Sequence, residues 1–373
     1  MKRGDIMIGV GAGLVSALLF ATVIRGSLAA FLLFYLTPLP VAIVALGWEH
    51  RCGLVASLAG AIAVGLIFGP LSGLWFALSS ALPIWWLSYL ALLAQEGAQF
   101  AGPSQFPPPS QFGPPSQLSP QSQSSPQSQF LRPGMPGPVG GVAAAYAENR
   151  NSSPNIFWYP LGRLALWAGG LSALLTLAVA LMLGPDYGTF VGTIEDGVTL
   201  ALKGGIDELP GLSAGVSVER LASLIASVVM PAIGAAMLTL LTLIILLVAA
   251  KVVSLSGRLP RPLPVISRDF VLPPMTLVGL VAGLMLSPFA GWPRFIAFAL
   301  AGTAGMLFAM QGLATMHVLV ARIAARPLIL GVGYAMLVVA APWVLIGLAV
   351  LGLADMGFGL RARLIAKAAV NPL

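Results

Sequence analysis

Charge is what this sequence has least of: only 8% of its 373 residues are Asp, Glu, Lys or Arg, where a soluble domain carries about 25%. With 58% hydrophobic residues and a mean hydropathy of +0.94, the composition is that of an integral membrane protein. A single cysteine, Cys52, excludes an intrachain disulfide and any cysteine-rich metal site. The only two histidines, His50 and His317, stand in no zinc-binding spacing. No phosphate-cradling GxxxxGKS/T segment occurs, so the chain carries no nucleotide-hydrolysing engine, and any transport draws on an ion gradient or a partner. No carboxylate lies well inside an expected span, since Glu49, Asp269 and Asp355 all sit at ends. That argues against proton coupling through a buried acid and leaves His317 as the one titratable alternative.

The formal charge of +7 is spread one to three residues at a time beside apolar segments. This is a topology signal and not a nucleic-acid footprint, so no nucleic acid is expected as a partner. No cleavable signal peptide is apparent, and the run ending at Arg25 reads as the first span. Segments of about 20 apolar residues cross a bilayer. They fall near Ile6–Ile24, Ser27–Gly47, Leu54–Phe68 and Leu71–Ala94, then from the Trp158–Arg163 stretch to about Gly184, Leu221–Val253, Pro273–Ser287, Ala301–Arg326 and Pro327–Leu353. The second contains Pro38 and Pro40, which remove backbone donors and should kink or break it. The sixth should be interrupted at Met230-Pro231, and the ninth contains Pro342. Gly9 and Gly13, Gly65, Gly69 and Gly73, and Gly279 and Gly283 recur at helix-packing spacing.

Between the halves, residues 97–156 are rich in Pro, Ser, Gln and Gly, with PSQF at Pro103 and Pro109 and PSQL at Pro115. Such a stretch buries too little to offset its ordering entropy and reads as a disordered linker. The chain therefore divides into an N-terminal membrane half, 1–96, this linker, and a C-terminal half, 157–373. Trp158-Tyr159-Pro160 opens the second half as an aromatic belt and a helix-starting proline. An acidic loop follows at 185–220, where Val191, Ile194, Val198, Leu202 and Ile206 keep a helical period suited to a membrane surface. Gly211-Leu212-Ser213-Ala214-Gly215 matches GxSxG, but the strand-turn-helix that a nucleophile elbow needs is missing, and no enzyme is expected. With the N-terminus cytoplasmic, most basic residues fall inside and the acidic loop outside. Nine spans would leave Arg361, Arg363 and Lys367 outside, so either a segment near Thr37–Gly73 fails to cross or the tail breaks the rule.

The stretch Ala301–Arg326 is apolar yet contains Gln311, Thr315 and His317 and ends in Arg322 and Arg326. At about 100° per residue, Gln311, Thr315, Arg322 and Arg326 share one narrow face, while Met306, Met310 and His317 share another. The arginines read as cytoplasmic anchors with snorkelling stems. A polar helix opposite a proline-broken one suggests a solute site formed by Gln311, Thr315, His317, Pro38 and Pro40.

Pro38-Leu39-Pro40 with Leu46-Gly47-Trp48, Trp158-Tyr159-Pro160 with Gly162-Arg163, and Gln311-Gly-Leu-Ala followed by His317 stand in a recognisable order. They continue with Gly352-Leu-Ala-Asp355, Leu360-Arg361 and Arg363. In that order they resemble the bacterial membrane family called domain of unknown function 2232. The linker and acidic loop fall outside the resemblance. It implies a fold distantly similar to the substrate-binding S components of energy-coupling-factor transporters, which borrow ATPases from partners. More than the usual six spans and the long insertion depart from that pattern, and no binding residue carries over.

The expectation is thus an all-α polytopic transmembrane bundle of eight or nine spans with a long disordered loop, in a bacterial inner membrane. It is a transport-related solute-binding component whose partners are the bilayer and an ATPase or membrane coupling subunit, with no cofactor and no metal. The alternative is a non-transporting scaffold that recruits cytoplasmic proteins through its linker and basic loops. Neither the solute nor the oligomeric state follows from the sequence.

Overall fold

Among the described residues of the computed structural model, eight helices are long and apolar enough to cross a membrane. The structure describes residues 3–96, 156–203 and 218–370. The linker residues 97–155, the Gly211–Gly215 motif and the acidic pair Asp207 and Glu208 lie outside the described residues.

Along the first stretch run α1 (Arg3–Ala21), α2 (Leu28–Tyr35), α3 (Leu39–Gly47), α4 (His50–Phe68), α5 (Pro70–Phe76) and α6 (Leu82–Ala91). Two three-residue strands, β1 (Ala94–Glu96) and β2 (Ile156–Trp158), pair with each other. After them come α7 (Leu161–Leu183), α8 (Tyr187–Lys203), α9 (Val218–Leu224), α10 (Met230–Leu255), the short α11 (Ile266–Asp269) and α12 (Met275–Leu286). The chain continues with α13 (Trp292–Leu319), α14 (Arg326–Val339), α15 (Ala341–Phe358) and α16 (Leu360–Val370). The described helices on both sides of the linker belong to one compact unit.

Proline sets several helix starts, because its missing N–H costs nothing in the first turn. Helix α7 begins directly after Pro160, α5 begins on Pro70, and α13 has Pro293 at its second residue. Inside spans, proline has two different outcomes. Around Pro38 and Pro40 the helix breaks, leaving a turn at Leu36–Pro38 between α2 and α3. A regular helix would use the Pro38 and Pro40 nitrogens to satisfy the Phe34 and Leu36 carbonyls. Instead the N–H groups of Thr37 and Leu39 donate to those carbonyls at 3.0 Å, one residue early. Before Pro83 and Pro231 the chain stays helical through π-turns at Ala77–Ala81 and Ile225–Val229, so the expected interruption at Met230-Pro231 does not occur. Widening the turn moves the donors out of register just ahead of each proline.

The span count also changes in detail. Leu28–Gly47 and His50–Phe68, which cover the stretch near Thr37–Gly73, are both of membrane length. The shorter apolar helices are α14 (Arg326–Val339) and α12, whose 12 residues rise about 18 Å against a hydrocarbon core of about 30 Å. The expected ninth span divides at Ala340 into α14 and α15.

Small residues bring the helices together. A Cβ on Gly13 would lie 2.3 Å from the Ala56 carbonyl of α4, and one on Gly73 2.5 Å from the Ala61 carbonyl. Of the pair Gly279 and Gly283, only Gly283 meets a neighbour, the Ala297 carbonyl of α13. The largest apolar cluster joins both halves of the sequence, with Val41, Leu46, Ile84 and Leu87 against Leu164, Ile245 and Leu246. Leu66, Val338 and Val339 are more than four-fifths exposed, an outward apolar surface suited to lipid. Val191 and Ile194 of α8 turn their apolar period onto Ala180, Ala226 and Phe295.

Candidate functional site

Helix α13 is the most enclosed of the membrane-length helices, and its Thr303, Gln311, Thr315 and His317 are bonded to protein. Gln311 is 1% exposed. Its Oε1 accepts from the Leu272 N–H at 3.0 Å, and its Nε2 donates to the Gly352 carbonyl at 3.3 Å and to Asp355 Oδ2 at 3.0 Å. Asp355 also receives Arg361 Nε at 2.7 Å on Oδ2 and the Arg361 N–H at 2.9 Å on Oδ1. The guanidinium continues to the Ser267 and Phe270 carbonyls at 3.2 and 2.9 Å. Both ends of this ion pair are buried, with side chains 5% exposed. The local chain makes it: Gly359 has φ +62 and reverses the backbone between α15 and α16, so Arg361 folds back on Asp355. Gly312 and Gly352 permit the approach, since a Cβ on either would lie within about 2 Å of a carbonyl oxygen across the α13–α15 contact.

Thr315 donates to the Gln311 carbonyl of its own helix at 2.9 Å. His317 bonds through Nδ1 to the Leu313 carbonyl at 2.9 Å and through Nε2 to the Tyr334 hydroxyl at 3.3 Å. Met306 is buried, and Met310 packs against the cluster of Ala165, Phe270 and Leu307. Arg322 and Arg326 are exposed, but they do not continue the Gln311 face. The α-helix ends at Leu319, passes through a 3-10 turn at Val320–Arg322 and becomes extended at Ile323. The Arg326-Pro327 step follows, and it starts a new helix.

Pro38 lies elsewhere. It lines a cavity of about 410 Å³ together with Tyr35, Thr37, Ser79, Ser80, Ser172 and Thr242, among others, and no charged residue is in that wall. Neither Gln311, Thr315 nor His317 lines it. Helix α3 packs chiefly on α10, α4, α1 and α6, whereas α13 packs chiefly on α15, α10, α12 and α7. The structure therefore does not bring Pro38 and Pro40 together with Gln311 and His317 in one site.

The cavity wall has a property the α13 network lacks. Ser172, like Ser57, Thr176, Thr239 and Thr315, bonds its hydroxyl to the carbonyl four residues earlier, the usual solution for a hydroxyl in an apolar helix. Thr37 is 2% exposed, and neither its Oγ1 nor the buried Oγ of Ser80 has a partner. Both stand in irregular turns, Thr37 in the proline break and Ser80 in the π-turn. Ser16, Ser88 and Thr276 also hold unpartnered buried hydroxyls, but Thr37 and Ser80 share a cavity. Their places within Leu28–Gly47 and Pro70–Ala91 are near the middle of the spans.

Outside the spans, Arg261 donates to the Ala91 and Tyr159 carbonyls at 3.2 and 3.1 Å. Burial lowers its pKa from the ordinary guanidinium value, partly offset by Asp269. No group of three or more His, Cys, Asp or Glu among the described residues is arranged to hold a metal ion.

No family model, curated protein or solved structure matches the chain. The geometry alone carries the functional reading. Sequence reasoning chose Pro38 and Pro40 for their backbone effect and passed over Thr37 immediately before them. It also set Asp355 aside as a helix-end residue, although Asp355 and Arg361 were among the landmarks of the family resemblance.

Proposed function

We propose that this multi-pass membrane protein is a transport-related component that holds a small uncharged solute in the cavity beside the α2–α3 break. The observation that carries the reading is the pair of unpartnered hydroxyls, Thr37 and Ser80, in one mid-span cavity wall. An unbonded buried hydroxyl costs about 1–3 kcal/mol, and a solute with donors and acceptors would offset that cost. An ionised solute would be costly in a wall without a countercharge. This reading moves the expected solute site away from Gln311 and His317, whose polar atoms are engaged by protein.

The proposal includes membership of the domain of unknown function 2232 family, residence in a bacterial inner membrane with a cytoplasmic N-terminus, and binding without catalysis. With no nucleotide motif in the chain, an ATPase and a membrane coupling subunit are the partners proposed to drive it. The test is extraction of the full chain from native membranes into lipid nanodiscs, followed by mass spectrometry of the small molecules and proteins recovered. A near-stoichiometric uncharged compound, depleted at least tenfold in a Thr37→Val/Ser80→Ala variant that still folds, supports the reading. Equal recovery from both proteins overturns it. Soluble cytoplasmic proteins recovered instead, and lost on deleting residues 97–155, would put the scaffold in its place.

A further inference from the structure

The hydroxyl-lined cavity has a neighbour. A second cavity, about 360 Å³ in volume, is lined by residues including Thr176, Phe190, Met230, Gly234, Met237 and Phe295. The two share four wall residues, Tyr35, Val179, Leu238 and Leu241, so they lie against each other along α7 and α10. Their chemistry differs. The first offers Thr37 and Ser80 without partners. In the second, Thr176 already donates its hydroxyl to the Ser172 carbonyl at 2.8 Å, and the remaining wall apart from Tyr35 is hydrocarbon, thioether and aromatic. Two methionines suit an irregular apolar guest, and Phe190 and Phe295, edge to face at 5.5 Å, add an aromatic wall.

A compact polar solute would use only the first cavity. We infer that the occupant is an uncharged amphiphile, with a hydroxyl- or carbonyl-bearing head beside Thr37 and Ser80 and a single hydrocarbon tail in the Met230–Met237 cavity. The inference rests on the reading of the first cavity as a solute site and adds the class of molecule. It requires no charged residue in either wall, and none is there. It also places the polar group at mid-span and the tail against α10, an arrangement that the bilayer, with its heads at the surface, would not itself select.

The probe is a monoacylglycerol carrying a photoreactive diazirine, in one version beside the glycerol and in another near the tail end. It is presented to the full-length protein in lipid nanodiscs, and labelled peptides are mapped by mass spectrometry. Head labelling in the α2–α3 and Ala77–Ala81 segments, with tail labelling between Met230 and Leu241, is the expected result. Labelling at equal level on outward positions such as Leu66 and Val338 would show bulk lipid contact and overturn it. Two variants separate the failures. Gly234→Leu adds bulk where a Cβ would lie 3.7 Å from Thr176 Cγ2, and it should cut tail labelling at least tenfold while leaving the fold intact. Thr37→Val/Ser80→Ala should cut head labelling by a similar factor. If a native compound is lost in the hydroxyl double variant but unaffected by Gly234→Leu, the tail assignment fails while the solute site stands. If neither variant changes any occupancy, both fail.

Discussion

At the Gln311–Asp355–Arg361 network each side chain is held at two or more points. Beside Pro38, by contrast, two hydroxyls in one cavity wall are held at none. Both regions are buried among apolar helices, so solvent does not distinguish them. What differs is whether the protein supplies the partners, and that separates a polar group used for architecture from one left for a guest. A closed network of this kind ties the loop before α12 to α13, α15 and α16. An open pair of hydroxyls ties nothing, and the fold tolerates its cost beside a cavity.

The largest effect should come from opening the closed region. Arg361→Ala leaves Asp355 charged and buried, which costs about 3–5 kcal/mol, read as a shift in detergent-titrated unfolding in mixed micelles. Adding Asp355→Leu to Arg361→Leu should return most of that loss, because a buried ion pair contributes little beyond its apolar replacement. A double variant as unstable as Arg361→Ala would mean that the pair itself, and not the orphaned charge, holds α16. Next comes Gln311→Leu, which leaves the Leu272 N–H unpaired and should cost about 1–3 kcal/mol. It removes no wall residue of either cavity, so ligand occupancy should be unchanged.

The bundle itself was legible in the sequence because a bilayer imposes length and hydropathy on every span. The expected starts at Pro160 and the break at Pro38 were legible for the same kind of reason, a backbone donor that proline lacks. Packing glycines were partly legible: Gly13, Gly73 and Gly283 meet neighbours, Gly69 and Gly279 do not. The candidate site was read less well. A helical wheel set Gln311, Thr315, Arg322 and Arg326 on one face, but the wheel assumes a continuous helix and α13 stops at Leu319. Asp355 looked like an end residue because distance along a helix says nothing about burial by the next one, and α16 folds Arg361 back over it. Thr37 and Ser80 gave no sign of their own, since whether a hydroxyl finds its i−4 carbonyl depends on its rotamer and its neighbours as well as on the sequence.

The open region should respond in the opposite sense. Thr37→Val removes an unpartnered hydroxyl while keeping the side chain's shape, so unfolding should be unchanged or shifted by up to about 1 kcal/mol toward stability. A loss of 2 kcal/mol or more, of the order expected for an abolished hydrogen bond to a buried partner, would show that Thr37 belongs with Gln311 and not with a ligand.

Asp186 supplies the remaining control, a polar group that is satisfied but not buried. It precedes α8 and accepts the Thr189 N–H at 2.8 Å and the Thr189 hydroxyl at 2.6 Å, a cap for the first turn. Those bonds hold its pKa below the ordinary carboxylate value, the side-chain bond first. A lowered folded pKa means that the contribution is present above the unfolded value and lost as pH falls through the folded one. If burial is what makes the Asp355 network matter, Asp186→Ala should leave global unfolding unchanged. It should speed amide exchange only in the first turn of α8, by a few-fold near neutral pH. Wild type and variant should converge once the carboxylate protonates in acid. A global loss comparable to that of Gln311→Leu would show that satisfaction alone, without burial, sets the size of these effects, and the contrast between the closed and open regions would then have to rest on bond count.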